Sequence, residues 1–245
     1  MLPLKDDAPR ITTPYITYFL LVSNILVFFF ELNLQHTGQL NAFLMQFGIV
    51  PAKIDVLLTR GGVVPLGLVA PWNTRYIGLA DILVPIITSM FLHGGWSHVI
   101  SNMWALWIFG DNVEDHLGHG LYLLFYLLSG IAGALVHIIF NLSSTLPTLG
   151  ASGAIAGIMG AYFVLFPTAR VLTFFFVFFL WIPAWIFVGY WFLVQFLSGA
   201  ATVIAANTAN TGGVAVWAHI GGFLAGIALI KLLPSRPRRY RYYGL

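Results

Sequence analysis

Along the chain, apolar residues gather into long runs separated by short polar or glycine-rich breaks. The runs are Tyr15–Leu32, Ser97–Phe109, Leu121–Phe140, Ala151–Phe166, Val171–Leu197 and Val214–Leu233. Each predicts a helix, because continuous apolar stretches of this length exceed ordinary strands. Several fall short of the ~20 residues that cross a hydrocarbon core. From Ala151 to the break at Pro167 a helix covers only about 24 Å at 1.5 Å per residue. Such a helix starts below the membrane surface, and Ser152 is then in its first turn. Between the first two runs, Asn33 to Gly95 forms a long loop in which Phe43–Val50 and Val63–Pro71 can lie in the interface. The Phe-rich stretch Phe174–Phe179 reads as lipid-facing bulk of the fifth helix.

Composition turns these runs into a membrane assignment. Hydrophobic residues make up 59% of the 245 positions and charged residues 8%, with a mean hydropathy of +0.89. A soluble domain carries about a quarter charged residues, so lipid must contact most of this surface. The basic pI near 9.3 does not indicate nucleic-acid binding. Lys231, Arg236, Arg238, Arg239 and Arg241 cluster at and after the end of the last run, as topology determinants and anionic-lipid contacts do. Six crossings put Lys5, Arg10, Arg170 and that tail on one side. Lys53, Arg60 and Arg75 occupy the other. The positive-inside rule then predicts both termini in the cytoplasm. The expected organisation is a single membrane domain over 1–245, with a short polar segment at 1–14 and a basic tail at 234–245.

Three polar clusters interrupt the apolar runs. Gly150-Ala151-Ser152-Gly153 opens the fourth helix, where free backbone N–H groups favour developing negative charge. The same residues also read as an N-capping serine on a small-residue packing surface, Gly153-x-x-x-Gly157. In the last run, His219 shares a helical stripe with Gly222 and Gly226. Those glycines allow a neighbouring backbone to approach. If that neighbour is the fourth helix, His219 comes within reach of Ser152, as a serine nucleophile requires of its base. A histidine bonded to a carbonyl across the bundle is the alternative. The third cluster is His93 with His98-x-x-x-Asn102. His98 and Asn102 project from one face, either as donors for an oxyanion or as an interfacial group near Trp96.

The last acidic residue is Asp115. Asp111, Glu114 and Asp115 fall at the far end of the second helix from Ser152. A Ser–His–Asp triad is therefore disfavoured, leaving a Ser152–His219 dyad as the economical arrangement. His-Glu-x-x-His zinc chemistry is absent from the sequence, as is an intramembrane aspartate pair.

Taken in order, these motifs resemble the rhomboid family from about Tyr15 to Leu233. His98-x-x-x-Asn102 opens the second helix and Gly110-x-x-x-Glu114-x-x-x-Gly118 follows it. Gly150-Ala151-Ser152-Gly153 opens the fourth helix, and His219-x-x-Gly222-x-x-x-Gly226 lies in the sixth. The resemblance implies an all-α membrane protein, a six-transmembrane-helix bundle with both termini cytoplasmic. It implies an intramembrane serine endopeptidase that needs no cofactor and cuts transmembrane-protein substrates. Ser152 would be the nucleophile, His219 the general base, and His98 with Asn102 the oxyanion donors. Gly150, Gly153, Gly157, Gly222 and Gly226 would serve packing. It further implies a lateral gate between the second and fifth helices and a mobile loop, here Ser198–Gly213. Two departures stand out: Val84-Pro85 occupies a place where members often carry Trp-Arg, and Ala156 a place where many carry an aromatic. Alternatives are an inactive rhomboid-like protein that binds membrane clients, and a small transporter. The lack of cysteine and of a targeting segment leans toward a prokaryotic plasma membrane.

Overall fold

The computed structural model of the protein describes residues 1–64, 76–204 and 215–236. In chain order the elements are β1 (Leu2–Asp6), α1 (Tyr15–His36), α2 (Leu40–Phe47), α3 (Pro51–Arg60) and α4 (Ala80–Thr88). After a short 3-10 turn come α5 (Trp96–Leu117), α6 (His119–Phe140), α7 (Ser152–Leu165), β2 (Arg170–Phe175), β3 (Phe178–Pro183), α8 (Ala184–Ile204) and α9 (Val216–Leu232). Three helices, α1, α6 and α8, are long and apolar enough to cross a membrane. A fourth span arises if α4, its 3-10 turn and α5, bent by 76°, count as one; α7 and α9 are shorter apolar helices. The chain is an integral membrane protein.

The core is built around α7. Every residue from Gly153 to Tyr162 is buried, so this helix has no lipid-facing side and needs no amphipathic stripe. Its small residues let two neighbours come to backbone contact. A Cβ on Gly222 would lie 1.9 Å from the Gly153 carbonyl oxygen, and one on Gly226 would lie 2.0 Å from that of Gly157. Contacts spaced four residues apart on both helices make α7 and α9 parallel neighbours in fixed register. On its α6 side, Gly157 leaves just enough room for the Ser129 side chain. Gly153, Gly157, Gly222 and Gly226, the glycines expected to serve packing, are the residues at which these close approaches occur.

The fifth run is not one helix. Residues 170–183 form a hairpin, and only Ala184–Ile204 is helical. Together with β1 the hairpin makes a three-stranded antiparallel sheet in the order β1-β2-β3, so the described fold is mostly helical rather than all-α. An apolar run rich in Phe cannot be told from helix by periodicity alone, and β-branched and aromatic residues favour strands. The hairpin turns at Phe176-Val177, with Phe176 in the left-handed region (φ 56). The Phe-rich stretch is indeed exposed, but as this turn and its strands. The segment 1–14 is likewise ordered: Leu2 pairs with Phe174 and Asp6 with Val171, while Trp104 Nε1 of α5 donates to the Pro3 carbonyl. Of the expected mobile loop, residues 198–204 continue α8; 205–213 lie outside the described residues, as do 237–245 of the basic tail and 65–71 of the loop stretch Val63–Pro71. Pro85 lies inside α4.

Candidate active site

The loop entering α7 is held from two directions. Thr148 and Ile49 exchange backbone hydrogen bonds, and the Gly150 N–H donates to the Ser89 carbonyl at 2.9 Å. Gly150 has φ +124, a conformation open to glycine, and a Cβ there would lie 2.7 Å from His98 Nε2. Glycine is thus required twice at this point, by the backbone and by the histidine ring. Ser152 is the first residue of α7. Ala151 holds the capping position, and no side chain caps the helix. The N-capping alternative for Ser152 does not hold. The first intrahelical bond at this end is the Ile155 N–H to the Ala151 carbonyl, so the N–H groups of the first turn remain available, as at any helix start. Ser152, Gly150 and Ala218 line one small cavity with Ser89, His137 and Thr148.

His219 sits three residues before Gly222 on α9. With Gly222 against Gly153 in parallel register, His219 falls at the level of the turn that carries Gly150 and Ser152. The residue is buried, 7% exposed. Among the described residues no hydrogen bond joins it to Ser152; instead its Nδ1 lies 2.8 Å from Gln195 Oε1 of α8. Trp191, one turn earlier on α8, packs its ring against the imidazole at 5.7 Å between centroids. The ring that Ala156 leaves without an aromatic neighbour on α7 is held from α8.

His98 faces the Gly150 turn from α5. Its Nδ1 accepts the Gly94 N–H at 3.3 Å, so a neutral His98 carries its proton on Nε2, the atom closest to Gly150. This is the donor geometry that an oxyanion near Ser152 needs. Asn102 is buried and spends one amide N–H on the His98 carbonyl at 3.1 Å, leaving the other for a ligand. His93 packs edge-on against His98 at 5.1 Å. Its backbone N–H donates to both oxygens of Glu31, which is 2% exposed.

Gln195, Trp191, His137, Thr148 and Glu31 were not singled out as candidates by sequence reasoning. Gln195 and Glu31 carried a usable signal, since each is a polar residue inside an apolar run, where such groups are costly. Asp111, Glu114 and Asp115 lie at the opposite end of α5, bonded to residues 10–17. They are remote from Ser152, as expected.

Comparison with known proteins agrees with this architecture. A family model described as Rhomboid domain matches residues 81–236. Rhomboid protein 1, mitochondrial, of Saccharomyces cerevisiae is 35% identical over 148 residues, covering 59% of this chain and 40% of the yeast protein. Rhomboid protease GluP of Bacillus subtilis is 36% identical over 149 residues, 60% of this chain and 24% of GluP. RHOMBOID-like protein 6, mitochondrial, of Arabidopsis thaliana is 34% identical over 157 residues, 62% of this chain and 44% of that protein. The chain therefore matches less than half the length of each of these relatives. Two of them are mitochondrial by name, so the expected prokaryotic plasma membrane gains no support from them.

Proposed function

This chain belongs to the rhomboid family, and we propose that it is an intramembrane serine endopeptidase acting through Ser152 and His219. The observation that carries this reading is the parallel α7–α9 seam. It brings His219 level with a serine at a helix start whose N–H groups are free. In the reaction, Ser152 Oγ attacks the scissile carbonyl while His219 Nε2 takes its proton, then returns it to the leaving amine. Negative charge on the former carbonyl oxygen meets the His98 Nε2–H, an Asn102 N–H and the backbone at the start of α7. A water, deprotonated by the same histidine, releases the acyl group. No metal or cofactor takes part.

The substrates are transmembrane segments of other proteins, and the fold spans the membrane six times as a single domain with both termini cytoplasmic. Entry is lateral, between α5 and α8. Peptide groups in a transmembrane helix are bonded within the segment, so cleavage favours segments that Gly or Pro weakens near the cut.

The test is labelling of the detergent-solubilised chain with a serine-directed fluorophosphonate, beside cleavage of a reporter transmembrane substrate. Wild type should label and cut. Ser152→Ala should do neither, and His219→Ala should lose about as much turnover as Ser152→Ala, since the two act as a unit. Near-normal cleavage by either variant would sink the reading.

A further inference from the structure

The base of a catalytic serine normally needs a third group to fix its tautomer and hold its ring. The sequence offers no carboxylate for this after Asp115. The structure supplies an amide. Gln195 Oε1 lies 2.8 Å from His219 Nδ1. An amide oxygen only accepts, so it is Nδ1–H that donates, and the lone pair is left on Nε2. Trp191 and Gln195 are four residues apart on α8 and meet the same imidazole, one through a tilted ring contact and one at Nδ1. Four apart on a helix is one face, so both side chains reach His219 from a single surface. The helix that carries them is peripheral: Leu193, Val194, Phe196 and Leu197 are all exposed. It packs on α9 through Phe192, which stacks on Phe223 at 4.3 Å.

We propose that Gln195 is a positioning residue for His219, filling the place that an aspartate takes in other serine proteases and supplied by the lipid-facing helix α8. The inference rests on the Ser152–His219 reading. Gln195 touches no reacting atom; it acts through the imidazole. Its delivery from a peripheral helix ties the tautomer of the base to the docking of α8. A displacement of α8 removes the orienter and the ring's aromatic neighbour in one motion.

The experiment measures kcat, KM and the thermal midpoint for the full chain carrying Gln195→Glu, Gln195→Asn or Gln195→Met, with Ser152→Ala alongside. Glu keeps an acceptor oxygen at the same reach. Asn is one methylene too short, and Met fills the volume without an acceptor. Losing the hydrogen-bond partner that orients a metal-bound histidine costs about 10- to 100-fold, and a neutral amide orienting this base is expected to matter on the same scale. Gln195→Met and Gln195→Asn should lower kcat by that amount with KM within about twofold. Gln195→Glu should keep most of kcat. If Met lowers the thermal midpoint, the Asn and Glu pair decides, since both keep a polar side chain and differ in the reach of its acceptor oxygen. Wild-type kcat in Gln195→Asn, or equal loss in Glu and Asn at unchanged midpoint, overturns the proposal. Cleavage surviving in Ser152→Ala would instead overturn the dyad reading beneath it.

Discussion

The two ends of α5 both carry polar side chains, yet they are bonded in opposite ways. At the end near Leu117, Glu114 is fully buried and accepts from the Ile16 N–H, the Thr17 N–H, the Thr17 hydroxyl and His119 Nδ1. Asp115 accepts from the Ile11 and Thr12 N–H groups and the Thr12 hydroxyl, and Asp111 pairs with Arg10 at 3.0 Å. These carboxylates use their acceptor capacity on the first residues of α1 and the segment before it, where a helix start has donors to give. At the other end, Ser152 Oγ has no hydrogen-bond partner among the described residues, and both ring nitrogens of His93 are buried without one. Unmade bonds of this kind are costly; Asn112 Oδ1, beside the anchor, is buried without a partner as well, so the contrast is between the saturated carboxylates and the open Ser152 and His93 groups. Saturation of its carboxylates, rather than polarity as such, marks the anchor.

The largest effect expected from breaking this contrast is on the anchor. Glu114→Ala leaves several buried donors without an acceptor and should lower stability by about 3–5 kcal/mol, the range seen when one partner of a buried pair is removed. Chemical denaturation in detergent reads it, and Ser152 labelling should fall only in proportion to unfolding. At the site, Asn102→Ala should do the reverse. Its donors matter most once charge develops on the oxyanion, so kcat should drop about ten- to a thousandfold with KM and thermal midpoint little changed. Normal kcat with raised KM would make Asn102 a binding group. Gly222→Ala tests the seam. Its methyl would meet the Gly153 backbone, which cannot swing aside as a side chain can. A loss of about 1–3 kcal/mol is expected, together with reduced turnover because His219 shifts relative to Ser152.

The smallest effect belongs to the Asp7–Arg170 pair, which ties the segment before α1 to β2. The Arg170 backbone N–H bonds the Asp7 carboxylate and, with its guanidinium, lowers the carboxyl below its ordinary value of 3.8. A lowered acid contributes stability above that ordinary value and loses it as pH falls through the folded one. Asp7→Asn should therefore cost about 0.2–1 kcal/mol near neutrality, and the gap from wild type should close in strong acid. Asp6 is shifted upward by burial, so it opposes the trend and is best held as Asn in both proteins.

Much of this could be read before the structure. The apolar runs marked α1, α5, α6, α7 and α9 to within a few residues, apart from the C-terminal end of α5, because each carries a long apolar stretch ended by glycine, proline or asparagine. The motif residues Ser152, His219, His98 and Asn102 stand at one end of the bundle because helical spacing and the glycine seam put them there. The hairpin at 170–183 was missed because an all-apolar strand pair and an all-apolar helix look alike when no polar position reveals the period. Gln195 was missed for a different reason. A single amide in a long apolar run signals only that some partner exists, and its partner, His219, lies in another helix that sequence spacing cannot align with it.

The glycine seam bears on how such a protein can drift over time. The separation of α7 and α9 is set by main-chain atoms meeting main-chain atoms at Gly153, Gly157, Gly222 and Gly226. Main-chain dimensions are the same in every sequence. Lineages can therefore exchange lipid-facing side chains freely, adapting to bilayers of different composition, while the alignment of the two helices is inherited unchanged. The variable part is the third contact, from α8, where Trp191 and Gln195 reach the imidazole through side chains. That helix is where descendants of one ancestor can diverge in how firmly the histidine is held.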